Sequence, residues 1–137
     1  MDQPGAPLVG IIMTSSDKAS MKPCFQLLDE LGIPYEVKIE SAARVPNVGQ
    51  KWVLEAHERG VRAIIVAAGR LANLGGVLAA HTALPVIVAP SSDYTRMRDI
   101  APLPLLRVNE SSPSAILADE GSRSAAELAV RIINRSL

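Results

Sequence analysis

The feature that most constrains the fold is an alternation of short apolar runs with helical patterns. Four runs have the length and apolar content of single strands, at residues 8–13, 35–39, 63–67 and 85–89. Helical patterns fill the spaces between these runs, at residues 18–31, 47–59 and 71–80. Strands that are joined through helices pair in parallel by right-handed crossovers, with helices on both faces of the sheet. The alternation therefore predicts an α/β chain.

The end of the chain extends this pattern, although two prolines interrupt it. Pro102 and Pro104 break the region after residue 90, and residues 114–118 predict a fifth strand. An amphipathic helix follows at 122–135, whose apolar face carries Ala125, Leu128, Ala129, Ile132 and Ile133. A length of 137 residues suits one domain with its own core. We predict a single three-layer αβα domain over 1–137, with a flavodoxin-like (Rossmann-like) parallel sheet and a flexible segment at 1–7.

Charge and composition exclude several classes of protein. The formal net charge is zero and no block of Lys and Arg occurs, so we expect no nucleic-acid partner. The single cysteine, Cys24, allows no internal disulfide and suits a reducing compartment. The sequence has neither metal-ligand spacing nor the GxGxxG fingerprint, so we expect no metal and no cofactor. No apolar run approaches 18 residues and no signal peptide is recognisable, which predicts a cytoplasmic protein without membrane spans.

Three polar or glycine-containing loops follow three of the predicted strands. They are Thr14-Ser15-Ser16-Asp17, Ser41-Ala42-Ala43-Arg44-Val45-Pro46 and Ala67-Ala68-Gly69-Arg70. Open α/β sheets bind their ligands at the carboxyl ends of the strands, where such loops meet. Arg44 stands at a helix start, where the helix dipole disfavours a cation, so the position asks for an anionic partner such as phosphate. We therefore predict one ligand site at this edge of the sheet.

Four segments of the sequence resemble the PurE family, the N5-carboxyaminoimidazole ribonucleotide mutases and aminoimidazole ribonucleotide carboxylases of purine synthesis. They are VGIIMTSSDKASM at 9–21, LDELGIPYEVKIESAARVP at 28–46, IIVAAGRLANLGGVLAAHTALPVIVAP at 64–90 and GSRSAAELAVRII at 121–133. The resemblance implies a nucleotide-like substrate, with carbon dioxide or bicarbonate as the second reactant or product. It also implies a homo-octamer in which active sites are shared and the C-terminal helix packs on a neighbouring subunit.

The resemblance assigns the ribose phosphate of the substrate to the first two loops. The family's first loop reads Gly-Ser-x-Ser-Asp, which Ser16 and Asp17 match in a loop one residue shorter. Its second loop reads Ser-Ala-His-Arg-x-Pro, and this sequence keeps Ser41, Arg44 and the proline. The residues expected to bind substrate are Thr14, Ser15, Ser16, Asp17, Ser41, Ala43, Arg44 and Gly69.

The sequence departs from the family at positions that carry the chemistry. The histidine of the second loop, the family's proton shuttle, is Ala43 here. In the third loop a glycine is replaced by Arg70, a histidine by Asn73 and a proline by Gly75. A methyl group cannot replace an imidazole that exchanges protons near pH 7, and such catalysis is worth roughly 10²–10⁴-fold. The sequence therefore predicts a divergent member of the family without the catalytic histidine.

The preferred interpretation is a PurE-like lyase that decarboxylates, or alternatively carboxylates, a phosphorylated or ribosylated heterocycle, as in specialised nucleoside metabolism. Asp17 or a bound water would supply the proton, and Arg70 or Asn73 would orient the leaving carboxylate. Small loops around Ala43 and Gly69 would exclude water, which favours loss of neutral carbon dioxide. The alternatives are an inactive nucleotide or sugar-phosphate sensor, a genuine purine-pathway mutase, or a structural partner of an active paralogue.

Several of these residues also have a plain structural interpretation. Ser16 and Asp17 are ordinary N-cap residues, and Arg44 suits a solvated helix start. Arg70 suits the filling of an unused pocket, and Asn73 suits an exposed helix surface. Sequence alone leaves both interpretations open at each position.

The two histidines and the cysteine are placed outside the site. His57 lies on a polar helix face and is expected to be solvated, whereas His81 ends a helix, where a cation is favoured. Cys24 falls on the apolar face of the first helix and is expected in the core rather than as a nucleophile.

Overall fold

Strands and helices alternate along the chain as the sequence pattern predicts. The computed structural model describes residues 5–40, 46–68, 78–90, 116–117 and 121–135. The elements are β1 (Val9–Met13), α1 (Lys18–Glu30), β2 (Tyr35–Ile39), α2 (Pro46–Ala56), β3 (Ala63–Ala68), β4 (Val86–Pro90), β5 (Ile116–Leu117) and α3 (Ser122–Arg135). Short 3-10 turns precede α1, at Ser15–Asp17, and follow α2, at His57–Arg59.

The strands form one parallel sheet in the order β2-β1-β3-β4-β5. This order is that of flavodoxin-like sheets, so the predicted fold class is confirmed. β1 lies between its two neighbours with Val9 opposite both Tyr35 and Ala63. Its five residues are all buried, as expected for a strand covered on both faces.

The two faces of the sheet carry separate apolar clusters, as a three-layer αβα fold requires. Val9, Ile11 and Met13 pack with α1 and α3 on one face. Ile12 lies on the opposite face and packs with Val53 of α2. The side chains of β1 alternate between these clusters because successive residues of a strand point to opposite faces. Helices on both faces therefore enclose the sheet.

Helix α1 begins and ends close to its predicted bounds. Its buried face consists of Met21, Cys24, Leu27 and Leu28, and Gly32 follows the helix with φ of +67°, a conformation that favours glycine. The helical pattern at 18–31 includes Leu31 as its last apolar residue, but Leu31 is 52% exposed. It lies past the last helical residue, Glu30, and so in a turn beyond the face that packs on the sheet.

Helix α2 is held against the sheet by Trp52. A Cβ atom on Gly10 of β1 would lie 2.9 Å from Cη2 of this indole, so the close approach requires glycine. The guanidinium of Arg59 lies 5.5 Å from the centre of the Trp52 ring and donates a 3.1 Å hydrogen bond to the Trp52 carbonyl. Arg59 Nε also donates to Glu36 Oε1 of β2 at 2.8 Å, which fastens the end of α2 to the sheet edge.

The last helix occupies its predicted range and packs within its own chain. Ala125, Ala129 and Ile133 are buried in the cluster that includes α1, and Leu128 and Ile132 pack partly buried against it. The predicted helix at 71–80 falls mostly outside the described residues, as do Pro102 and Pro104. Among the helices that the structure describes, none is long and apolar enough to cross a membrane.

Candidate functional site

The carboxyl ends of β1, β2 and β3 lie side by side at one edge of the sheet. Met13 is opposite Ile39, and Ile12 is opposite Val66, so the three strands end at nearly the same level. From this edge β1 leads to α1 on one face, whereas β2 leads to α2 on the other. Loops that leave neighbouring strands toward opposite faces open a crevice, the usual ligand position in this fold.

The loop after β1 is closed by reciprocal hydrogen bonds between Thr14 and Asp17. The Thr14 N–H donates to Asp17 Oδ2 at 2.9 Å, and Thr14 Oγ1 donates to the same oxygen at 2.8 Å. In return the Asp17 N–H donates to the Thr14 carbonyl at 3.0 Å. Asp17 is only 4% exposed, and Thr14 is buried as well. The Asp17 carboxylate thus fixes the shape of the loop from the inside.

Ser15 and Ser16 form the exposed part of this loop. Ser16 Oγ lies 2.8 Å from Thr14 Oγ1. Because the Thr14 hydroxyl donates its single proton to Asp17, Ser16 is the donor in this second contact. The loop therefore presents two hydroxyl groups to solvent above a buried carboxylate.

The first turn of α1 adds a positive end to this surface. The N-terminus of a helix carries unpaired N–H groups and a partial positive charge, which favours anions. Lys18 is the first residue of α1 and is exposed. Sequence analysis did not select Lys18, although the signal used for Arg44 applies to it, since a cation at a helix start is unfavourable without an anionic partner.

A second set of hydrogen bonds connects this loop to α3. Ser20 Oγ donates to the Asp17 carbonyl at 3.0 Å, and Ser122 Oγ donates to the Ser20 carbonyl at 2.7 Å. Ser122 is the first residue of α3 and is buried. No local pattern predicts a contact between residues 102 positions apart, so sequence reasoning missed it.

Six of the predicted site residues lie outside the described residues. They are Ser41, Ala43, Arg44, Gly69, Arg70 and Asn73. The structure describes the strands that precede them, and the ends of β2 and β3 flank the end of β1. Of the predicted set, the structure thus describes Thr14, Ser15, Ser16 and Asp17 as one contiguous loop, and the other roles stay predictions.

The residues that were placed outside the site lie where the sequence predicts. His57 and His81 are exposed. Cys24 is fully buried in the cluster beneath α1, and burial raises the pKa of its thiol to about 12. A thiol so protected from ionisation is a poor nucleophile. Within the ranges that the structure covers, no three His, Cys, Asp or Glu side chains come together as a metal-binding group.

Comparison with known proteins gives a consistent result over most of the chain. The sequence profile of the AIR carboxylase family matches residues 8–136. An N5-carboxyaminoimidazole ribonucleotide mutase of Pyrococcus horikoshii is 40% identical over 128 residues, which are 93% of this chain and 72% of that protein. A mutase of the same name from Bacillus subtilis is 51% identical over 85 residues, 61% of this chain and 52% of that protein. A phosphoribosylaminoimidazole carboxylase of Candida albicans is 39% identical over 93% of this chain, which spans 23% of that protein.

Proposed function

This chain belongs to the AIR carboxylase family, and from that membership we propose that it removes the carboxyl group of a carboxylated aminoimidazole ribonucleotide or a close analogue. The observation that carries the proposal is the preformed loop at 14–17, which offers exposed hydroxyls beside a helix N-terminus. It is supported by relatives that carry nucleotide carboxylase and mutase names. The setting that we propose is specialised nucleoside metabolism in the cytoplasm.

We place the phosphate of the nucleotide at the start of α1. Ser15 and Ser16 are exposed there, and the exposed Lys18 adds a positive charge. Phosphate is favoured by helix N–H groups, by the dipole and by an ammonium partner. Arg44, which follows the neighbouring strand β2 in sequence, is the second proposed cation. The other proposed substrate-binding residues are Ser41, Ala43 and Gly69.

The proposed reaction needs no second reactant other than water. The bond between the ring carbon and the carboxyl carbon breaks, carbon dioxide leaves, and the bonding electrons stay on the ring carbon. A proton from bound water then completes that carbon, and the hydroxide that remains combines with the released carbon dioxide to give bicarbonate. Bound water is preferred to Asp17 as donor because Asp17 is buried and its Oδ2 already accepts two hydrogen bonds from Thr14. Arg70 and Asn73 are proposed to orient the carboxylate before it leaves.

Decarboxylation is preferred because Ala43 stands where the resemblance expects the proton-shuttling histidine. Loss of carbon dioxide requires one protonation, whereas transfer of the carboxyl group between two atoms requires removal and return of a proton. Ala43 has no proton to exchange, so this position is compatible with decarboxylation but not with the proton removal that carboxyl transfer requires.

A genuine mutase is the second candidate. It is favoured by 40% identity over 93% of this chain with a protein of that name. In that case the carboxyl group moves from the exocyclic nitrogen to the ring carbon and is not released. The homo-octamer that the resemblance implies would be expected with either activity, and it remains a proposal.

Substrates with a ¹³C-labelled carboxyl group separate these functions in one experiment. The N5-carboxylated and the 4-carboxylated nucleotide are each incubated with the protein and followed by carbon NMR. A decarboxylase releases labelled carbon dioxide and bicarbonate, faster than buffer alone, whereas a mutase retains the label on the nucleotide. Binding without a change in either substrate would indicate the sensor, and no binding would overturn the proposed substrate class.

Lys18→Ala tests the phosphate end of the proposal. We expect this variant to raise KM roughly tenfold, as loss of one ion pair to phosphate suggests. Lys22→Ala is the matched control, because Lys22 is also exposed on α1 but lies one turn further from the loop. Equal KM values for the two variants would contradict a phosphate at the start of α1.

A further inference from the structure

The first turn of α1 is joined to the rest of its helix less firmly than most helical turns are. Pro23 lies inside α1, in its second turn. Proline has no N–H group, so the Ala19 carbonyl receives no helical hydrogen bond, and the proline ring crowds the same carbonyl. Both effects loosen the backbone between the first turn and the remainder of α1. The position of this turn therefore depends on contacts from outside the helix.

Ser122, the first residue of α3, provides such a contact. Its hydroxyl donates a 2.7 Å hydrogen bond to the carbonyl of Ser20, which lies in the first turn of α1. Ser122 is only 4% exposed, so water does not readily replace this bond. Helix α3 is also a firm support, because Ala125 and Ala129 are buried in the cluster that it shares with α1. The hydrogen bond thus ties the loosened turn to a well-packed helix.

The same connection reaches the exposed groups to which the phosphate is assigned. Ser20 Oγ donates to the Asp17 carbonyl at 3.0 Å, and the Asp17 carboxylate accepts two hydrogen bonds from Thr14. A continuous polar chain therefore runs from α3 through the first turn of α1 to the end of β1. Ser16 and Lys18 are exposed on this segment, on either side of the buried Asp17. A shift of Ser20 would move the groups that are proposed to bind phosphate.

We propose that Ser122 is a positioning residue for the phosphate end of the site, an inference that rests on the proposed function. Ser122 is itself buried and acts through the Ser20 carbonyl. It holds the first turn of α1 so that the ammonium of Lys18 and the N–H groups of the turn stay within reach of the same anion. Groups that are held in place before binding lose little freedom when the anion arrives. Without the hydrogen bond the turn occupies this arrangement for less of the time, and the apparent affinity falls by the same fraction.

Amide hydrogen exchange tests this connection without any ligand. The N–H groups of Thr14 and Asp17 both donate within the loop, so their exchange rates report how often the loop opens. In Ser122→Ala we expect both amides to exchange about three- to fivefold faster, as loss of one neutral hydrogen bond allows. Parent-like rates for both amides in the folded variant would overturn the positioning role.

Two further variants control this measurement. Ser124→Ala is the matched control, because it removes a hydroxyl from a less buried position of the same helix and should leave both exchange rates unchanged. Ser20→Ala removes the hydrogen bond to the Asp17 carbonyl, which is the next link of the chain, and should accelerate exchange of the same amides. This second variant keeps the proposal testable if Ser122→Ala does not fold.

Binding of aminoimidazole ribonucleotide, measured by titration calorimetry in buffer without bicarbonate, tests the effect on the phosphate end. We expect Ser122→Ala to raise Kd about three- to fivefold and Ser124→Ala to leave it unchanged. Because the effect acts through the position of Lys18, it should fall below about twofold when Lys18→Ala is already present. A role in stability alone would leave Kd of the folded Ser122→Ala protein unchanged, which would overturn the proposal.

Failure of this inference is distinguishable from failure of the proposed function. A parent chain that binds no aminoimidazole ribonucleotide would overturn the proposed function. A parent chain that binds it, together with a Ser122→Ala variant that binds it equally well, would overturn the positioning role alone.

Discussion

The loop after β1 and the cluster at the end of α2 are both polar networks, but they differ in burial. In the loop, Thr14 and Asp17 are buried and one carboxylate oxygen accepts two hydrogen bonds. In the cluster, Arg59 and Glu36 form an ion pair whose side chains remain about a third and a quarter exposed. Buried donors have no water to replace a lost partner, whereas exposed ions do. We therefore expect the buried loop, which has one charged group, to contribute more to the free energy of unfolding than the partly exposed ion pair, which has two.

Asp17→Ala is expected to have the largest effect. It leaves the N–H and the hydroxyl of Thr14 without their common acceptor in a buried loop, which costs about 3 kcal/mol in the free energy of unfolding. Urea denaturation measures this loss. Asp17→Asn keeps an oxygen acceptor and should cost about 1 kcal/mol. A smaller loss in the free energy of unfolding for Asp17→Ala than for Glu36→Gln, which removes the exposed ion pair, would show that burial does not explain the difference between the two networks.

The second-largest expected effect is a fall in the free energy of unfolding at alkaline pH, caused by ionisation of Cys24. Burial raises the pKa of this thiol from 9.0 to about 12. Below pH 9 the thiol is protonated in both the folded and the unfolded chain, so it does not lower the free energy of unfolding. Between pH 9 and about pH 12 only the unfolded chain releases the proton, which favours unfolding, so stability falls as the pH rises. At pH 11 the loss should be about 2–3 kcal/mol.

Cys24→Ala isolates that contribution. The pKa of Tyr35 is also raised, first by burial and then by Asp29, so some loss of stability at high pH should remain in the variant. The free energy of unfolding, measured from pH 8 to pH 11, should fall less steeply for Cys24→Ala than for the parent chain. Equal slopes would show that the thiol is not protected from ionisation.

Ser122→Ala is expected to have an intermediate effect. The variant removes the 2.7 Å hydrogen bond to the Ser20 carbonyl but leaves the Asp17 carboxylate and its two donors in place. A single neutral hydrogen bond contributes about 1 kcal/mol. Thermal unfolding should show a correspondingly lower Tm, and Ser124→Ala, on the less buried side of α3, serves as the control. A loss as large as that of Asp17→Ala would place the critical contact at α3 instead.

Glu36→Gln is expected to have the smallest effect, below about 1 kcal/mol, because the ion pair with Arg59 is partly exposed. Measurement in 0.05 M and 0.5 M salt should show that the small contribution shrinks with screening.

The sequence was sufficient for the layers of the fold because its signals are local. The apolar run of β1 and the periodic face of α3 each predict an element without reference to the rest of the chain. The parallel order then follows from right-handed connections. The exposure of Leu31 was missed because the helical period continues in sequence beyond the point where the helix ends.

The site was less predictable because its side chains are arranged by contacts between distant segments. Position after β1 was enough to select the loop at 14–17, but not to show that Asp17 turns inward to Thr14. The contact of Ser122 with Ser20 depends on how α3 packs beside α1, which no spacing encodes. The roles of Arg70 and Asn73 rest on the family resemblance, and that of Arg44 rests on the resemblance together with its place at a predicted helix start.

The complete burial of β1 has a consequence for how the molecule opens. A central strand without exposed residues, bonded to neighbours on both sides, exchanges its amide hydrogens only when the sheet itself comes apart. Edge elements such as β2 can detach at lower cost. Thr14 directly follows this most protected strand, so partial unfolding at the periphery leaves the loop attached to intact structure. Isotope exchange should therefore be slowest in the segment that leads into the loop.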